Sequence, residues 1–133
     1  MNDGDRAGAS VPLVMLVDDE RGLLELFASL VARLRYEVIS VNNGAVALDI
    51  LERVTPDLLI LDLGLPGISG NEVLRYVRNV PRLAQMKVVI LTARPHLISE
   101  VEPLGIDAWH TKPIRPQDFL AMVQEMLAPG YYN

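Results

Sequence analysis

The chain has 133 residues, half of them hydrophobic, which suits one domain with its own core. It contains no cysteine, which excludes disulfides, thiolate metal sites and cysteine nucleophiles. A net charge of −5 without a basic cluster argues against gripping nucleic acid by its phosphates, and points instead toward cations or basic protein surfaces.

Met1 to Ser10 are small and polar and read as a disordered tail without a signal-peptide stretch. Leu13 to Val17 is a wholly apolar run that stops at charges, as a strand buried on both faces would. Leu23, Phe27, Leu30 and Leu34 then recur at helical spacing, with Leu24 and Val31 widening the stripe. Glu37 to Val41 reads as a weaker strand, and Val46, Leu48, Ile50 and Leu51 mark a helix entered through Asn42-Asn43-Gly44. Leu58 to Leu61 is a second fully apolar run, and Val73, Leu74 and Val77 mark a helix ended by Pro81. Val88 to Leu91 is a third apolar run, ending at Thr92. Between Arg94 and Leu104, Pro95 and Pro103 leave room only for a short helix. A short strand is expected near Ala108 to His110. A last helix carries Phe119, Leu120, Val123, Met126 and Leu127, with Pro116 in its first turn. Residues 129–133 read as a C-terminal tail after a single domain spanning 11–128. No apolar run approaches the roughly 18 residues of a membrane span, so no membrane association is expected and the location is taken as cytoplasmic.

Strand and helix alternate five times, which implies a parallel sheet with helices on both faces. Ligands of such sheets bind beyond the carboxyl ends of the strands. Asp18-Asp19-Glu20 follows the first strand, Asp62 the third and Thr92-Ala93 the fourth, while Lys112-Pro113 follows the fifth. Read singly, the acids suit a helix N-terminus or a turn, Thr92 a strand end, and Lys112 a solvated surface. On one shared rim they make a different object. Clustered carboxylates resist ionising together, and a divalent cation relieves the conflict. Oxygen ligands without His or Cys suit Mg²⁺. A carboxylate beside Mg²⁺ can attack a phosphoryl group, with Lys112 and Thr92 holding its oxygens.

Four motifs in order carry a resemblance across Leu13 to Leu127. These are Asp18-Asp19, the loop from Asp62 through Pro66 to Gly70, Thr92-Ala93, and Gly105 through Lys112-Pro113. The chain resembles a stand-alone, CheY-like receiver domain of the two-component response regulators. The resemblance implies a flavodoxin-like three-layer α/β/α sandwich with strand order 2-1-3-4-5. It makes Asp62 the phosphoacceptor in a Mg²⁺-dependent reaction, with Lys112 and Thr92 on the phosphoryl group beside the backbone of Gly64 and Ala93. Mg²⁺ would be bound by Asp19, Asp62 and the Gly64 carbonyl, with Asp18 acting largely through water. Thr92 and Trp109 would form the switch, Trp109 standing where the family usually has Tyr or Phe. The Lys112–Pro113 bond is expected to be cis. The phosphodonor would be a histidine kinase or a histidine phosphotransfer protein. The output would be a protein contact, with a phosphorylation-dependent homodimer as one form, or onward passage of phosphate in a phosphorelay. No output domain is visible after Leu127. Such a receiver is a signalling protein that promotes its own phosphorylation and dephosphorylation.

Two departures stand out against that pattern. The stretch from Thr92 to Lys112 is shorter than usual, so an irregular fourth helix is expected. Gly64 and Arg94 occupy the positions that flank the path of the hydrolytic water, which predicts slow self-dephosphorylation. Two other functions compete with the leading one. A receiver fold working without phosphate would normally lack an acid or the lysine. A flavin carrier would want a phosphate-binding loop where Asp18-Asp19 stands, and an aspartate-nucleophile phosphatase a second Asp at the Gly64 position.

Overall fold

A computed structural model describes residues 11–128, so the tails expected at 1–10 and 129–133 lie outside the described residues. The first two apolar runs become β1 (Leu13–Val17) and β3 (Leu58–Leu61), buried at every position. A strand with no polar side must be covered on both faces, and these two are central. β4 (Lys87–Thr92) is buried from Val88 onward. The outer strands are more open: β2 (Glu37–Val41) is exposed or half-buried except at Val41, and β5 (Ala108–Thr111) alternates half-buried and exposed positions. All pairings are parallel, in the order β2-β1-β3-β4-β5, the flavodoxin-like arrangement expected from the sequence.

Side chains of each central strand alternate between two cores. Val14, Leu16, Leu58 and Ile60 point toward α1 (Arg21–Arg33) and α5 (Pro116–Leu127). There the Phe27 and Phe119 rings stack with centroids 4.3 Å apart. Met15, Val17, Leu59 and Leu61 point to the opposite face, toward α2 (Gly44–Leu51), α3 (Gly70–Asn79) and α4 (Ile98–Val101).

The helix starts follow from capping. Asn43 accepts the Val46 N–H at 2.8 Å and opens α2, while Ser69 and Glu72 form a capping box on α3. Within α2 the apolar stripe differs from the expected one. Ala47 and Leu51 are buried, whereas Val46 is 42% exposed. The helix is only eight residues long and apolar on nearly every side, so its composition does not select a face; the cap and the sheet do. In α5 the buried set is Phe119, Met122 and Val123, which adds Met122 to the expected positions.

The segment after β4 is irregular, as its prolines predict. A 3₁₀ turn at Pro95–Leu97, the single turn of α4 and a second 3₁₀ turn at Glu102–Leu104 follow one another. Ile98 and Val101 nevertheless reach the core. The exit from this segment is held by Arg78. Its Nε donates to the Gly105 carbonyl at 2.9 Å, and its Nη1 to the carbonyls of Met86 at 2.8 Å and Ala84 at 3.0 Å. Gly105 has φ +99°, a conformation that L side chains rarely adopt. Asp107, within 3.4 Å of Arg78, accepts the Val88 N–H at 2.8 Å and so ties β5 to the start of β4.

Candidate functional site

Strand register brings the predicted residues onto one rim. Val17 lies opposite Leu61, so the next residues, Asp18 and Asp62, are neighbours. Backbone bonds extend the sheet past its regular ends. Asp18 N donates to the Val41 carbonyl at 3.2 Å, Asp62 N to the Val17 carbonyl at 3.0 Å, and Lys112 N to the Thr92 carbonyl at 2.9 Å. The backbones beneath the site are thus held by the sheet itself.

Among the described residues the buried polar or charged ones are Asp18, Asp62 and Thr92. Burying ionisable groups without compensation is costly, so these positions need partners. Lys112 supplies one, with its side chain only 8% exposed. Its Nζ lies 2.7 Å from Asp18 Oδ2, 3.4 Å from Asp62 Oδ2 and 3.6 Å from Glu20 Oε1. Asp18 Oδ1 accepts the Glu20 N–H at 2.9 Å, and Asp62 Oδ1 accepts the Gly64 N–H at 3.1 Å. Thr92 Oγ1 accepts the Arg94 N–H at 3.0 Å, which turns the hydroxyl toward its own loop.

Burial pushes the Asp62 carboxyl above its ordinary value; the Gly64 amide and Lys112 oppose that shift without cancelling it, and the charge of Asp18 adds to it. For Lys112, burial acts to lower the ammonium, but its bond to Asp18 and the charges of Asp62, Asp18 and Glu20 outweigh burial and raise it. The site therefore holds a firmly protonated lysine beside a carboxylate that is uncomfortable when ionised.

Asp18, Asp19 and Asp62 each offer a carboxylate oxygen within 4.8 Å of the others. Asp19 is exposed, whereas both oxygens of Asp18 are already engaged by the protein. An all-oxygen set of this charge fits a hard divalent cation such as Mg²⁺.

The loop leaving Asp62 is shaped by close approach. A Cβ on Gly70 would stand 2.4 Å from the Asp62 carbonyl oxygen and 2.7 Å from Leu63 Cα, so only glycine lets α3 begin there. Gly64 is exposed, and a Cβ on it would meet only Asp62 Oδ1, at 3.8 Å. Ala93 and Arg94, just past the neighbouring strand β4, are exposed, and the Lys112–Pro113 peptide bond is cis as expected. Trp109 is not gathered into this cluster. It stands on β5, 43% exposed.

Reasoning from sequence missed two participants. Glu20 reads in the sequence only as one more acid after the first strand, yet it faces Lys112 at 3.6 Å. Arg78 carries no local signal, because its partners lie 6 to 29 residues away.

Known proteins resemble this chain in both sequence and fold. The family model of the response regulator receiver domain matches residues 14–124. The chain is 32% identical over 116 residues to the polar-differentiation response regulator DivK of Brucella anthropi, covering 86% of this chain and 94% of DivK. It is 34% identical over 122 residues to the sensory transduction protein RegX3 of Mycolicibacterium smegmatis, covering 90% of this chain but 52% of RegX3. The chain thus spans about half the length of the RegX3 relatives that it matches. Among solved structures, the chemotaxis response regulator CheY4 of Vibrio cholerae superposes with a TM-score of 0.82 at 25% identity, covering 88% of this chain and 99% of CheY4. The phosphorylated cyanobacterial phytochrome response regulator RcpA gives a TM-score of 0.76 at 26% identity, covering 87% of this chain and 91% of RcpA.

Proposed function

The chain belongs to the response regulator receiver family, and from that premise we propose that residues 11–128 are a phosphorylation-driven switch whose acceptor is Asp62. The observation that carries the assignment is the convergence of Asp18, Asp62, Thr92 and Lys112, all but the lysine being the buried polar residues of the described chain. Receivers are signalling modules, and they generally bind Mg²⁺ at such an acidic pocket. Here Asp19, Asp62 and the Gly64 carbonyl would hold it, with Asp18 acting through water. When bound, the metal supplies positive charge that lets an anionic donor approach the carboxylates.

In the reaction an Asp62 carboxylate oxygen attacks phosphorus. The bond from phosphorus to the donor's imidazole nitrogen breaks, its electron pair leaving with the imidazole, and an acyl phosphate remains on Asp62. The Gly64 N–H on Asp62 Oδ1 and the Lys112 ammonium 3.4 Å from Oδ2 hold the carboxylate in place for this attack. Lys112 then pairs with the phosphoryl oxygens. The Thr92 hydroxyl, free of the Arg94 amide, bonds to the same group, and Trp109 turns inward as the loop moves. The indole starts from an exposed position, so this rotation buries apolar area at the β5 surface. The donor is a histidine kinase or a histidine phosphotransfer protein, the location cytoplasmic, and the output a protein contact, with homodimerisation one form of it.

The test is a mass measurement. Incubation with Mg²⁺ and phosphoramidate should add one phosphate to the chain, and Asp62→Asn should take none. Phosphate gained equally by Asp62→Asn would remove Asp62 as the acceptor. Gly64 and Arg94 support slow loss of that phosphate, since Gly64 has no group with which to orient water. Gly64→Asn should hasten the loss, followed as decay of the phosphorylated mass after donor removal; an unchanged decay would count against the role of this position.

A further inference from the structure

Lys112 is held by three carboxylates, and two of them have other work. Asp18 and Asp62 face the proposed cation and phosphoryl group, and each already spends its Oδ1 on a backbone N–H. Glu20 has no such duty. Its backbone is fixed as the N-cap of α1, with its N–H on Asp18 Oδ1, while its side chain is 60% exposed and returns to Lys112 Nζ at 3.6 Å.

We infer that Glu20 is a positioning residue for Lys112, holding the ammonium on the α1 side of the rim and competing with the phosphoryl group for it. The inference rests on the Asp62 reading given above. Were Mg²⁺ held by Asp19, Asp62 and the Gly64 carbonyl, with Asp18 behind its water, Glu20 would be the one carboxylate beside Lys112 with no share in the metal site. Moving the ammonium onto a transferring phosphoryl group must then break or stretch that contact. An exposed ion pair is weak, so the restraint is a modest brake rather than a lock. Removing the charge frees Lys112 earlier and speeds transfer.

The experiment compares the full chain with Glu20→Gln and Glu20→Asp. The Lys112 side-chain resonance is read by NMR without Mg²⁺, and the initial rate of phosphate gain is read from phosphoramidate with saturating Mg²⁺. Glu20→Gln should shift the Lys112 resonance and raise the rate by roughly two- to fivefold, the range that an exposed pair allows. Glu20→Asp keeps the charge but loses a methylene of reach, and should follow Glu20→Gln. An unchanged resonance, or an unchanged or lower rate in Glu20→Gln, overturns the inference. So does a Glu20→Asp rate equal to the parent's, which would make Glu20 a diffuse charge near the rim. Failure of the parent chain itself to gain phosphate counts against the Asp62 reading instead, and the resonance still decides whether Glu20 holds Lys112.

Discussion

The tips of β1 and β3 and the β5 edge both contribute to one rim, yet they are built differently. Asp18 and Asp62 rise from strands buried at every position, flanked on each side by paired neighbours. β5 pairs only with β4, half of its four residues are exposed, and the helix before it is a single α turn between two 3₁₀ turns. The acids are thus placed by strands that cannot shift without opening two cores, while Trp109 sits where little packing resists movement. Charge chemistry needs fixed groups. A surface that must change with state needs a region of low local stability.

The contrast can be broken most directly by truncation. Leu59→Ala, at a fully buried position in β3, should cost about 2–5 kcal/mol in urea unfolding. Trp109→Ala should cost less than about 1 kcal/mol, since the ring is 43% exposed. Comparable losses would erase the distinction between centre and edge. Two of the three glycines in the Asp62 loop sharpen it further. Gly70→Ala forces a Cβ to within 2.4 Å of the Asp62 carbonyl oxygen and should cost about 1–3 kcal/mol, also displacing the Asp62 backbone. Gly64→Ala, with nothing nearer than 3.8 Å, should stay within about 0.5 kcal/mol of the parent. A neutral Gly70→Ala would show that the α3 start can slide away from the loop.

The smallest effect has the opposite sign. The folded-state value of Asp62 lies above that of the unfolded chain, so the folded form binds its proton more tightly. Whatever stability this lends is present below the ordinary carboxylate value and is lost as pH rises through the raised folded value. At neutral pH without Mg²⁺ the ionised Asp62 therefore destabilises the fold. Asp62→Asn should raise the Tm at pH 7 and lose most of that advantage near pH 4, as thermal melts at the two pH values would show. A lower Tm for Asp62→Asn at pH 7 would mean that its pairing with Lys112 outweighs its burial.

Much of this was legible in the residue order because central parallel strands leave an unmistakable mark. Leu13 to Val17 and Leu58 to Leu61 have no polar position at all, and each stops at an acid. The edge strands and α2 were harder to read. Half-exposed Glu37 to Val41 alternates only weakly, and in the largely apolar α2 nothing local distinguishes buried Ala47 from exposed Val46. The prolines at 95 and 103 foretold an irregular α4, because both act on the backbone at their own positions.

By itself the sequence determined the alternation of elements, the two-faced burial of the central strands and the identity of the rim residues, since each rests on neighbours a few positions apart. Tertiary structure alone decided how those residues share charge. Lys112 meets Asp18, Asp62 and Glu20 across 94, 50 and 92 residues of chain, and only the register of β1, β3, β4 and β5 sets which oxygen it touches. Electrostatic energy depends on distance in space, and that distance is fixed where strands pair, not where residues follow one another.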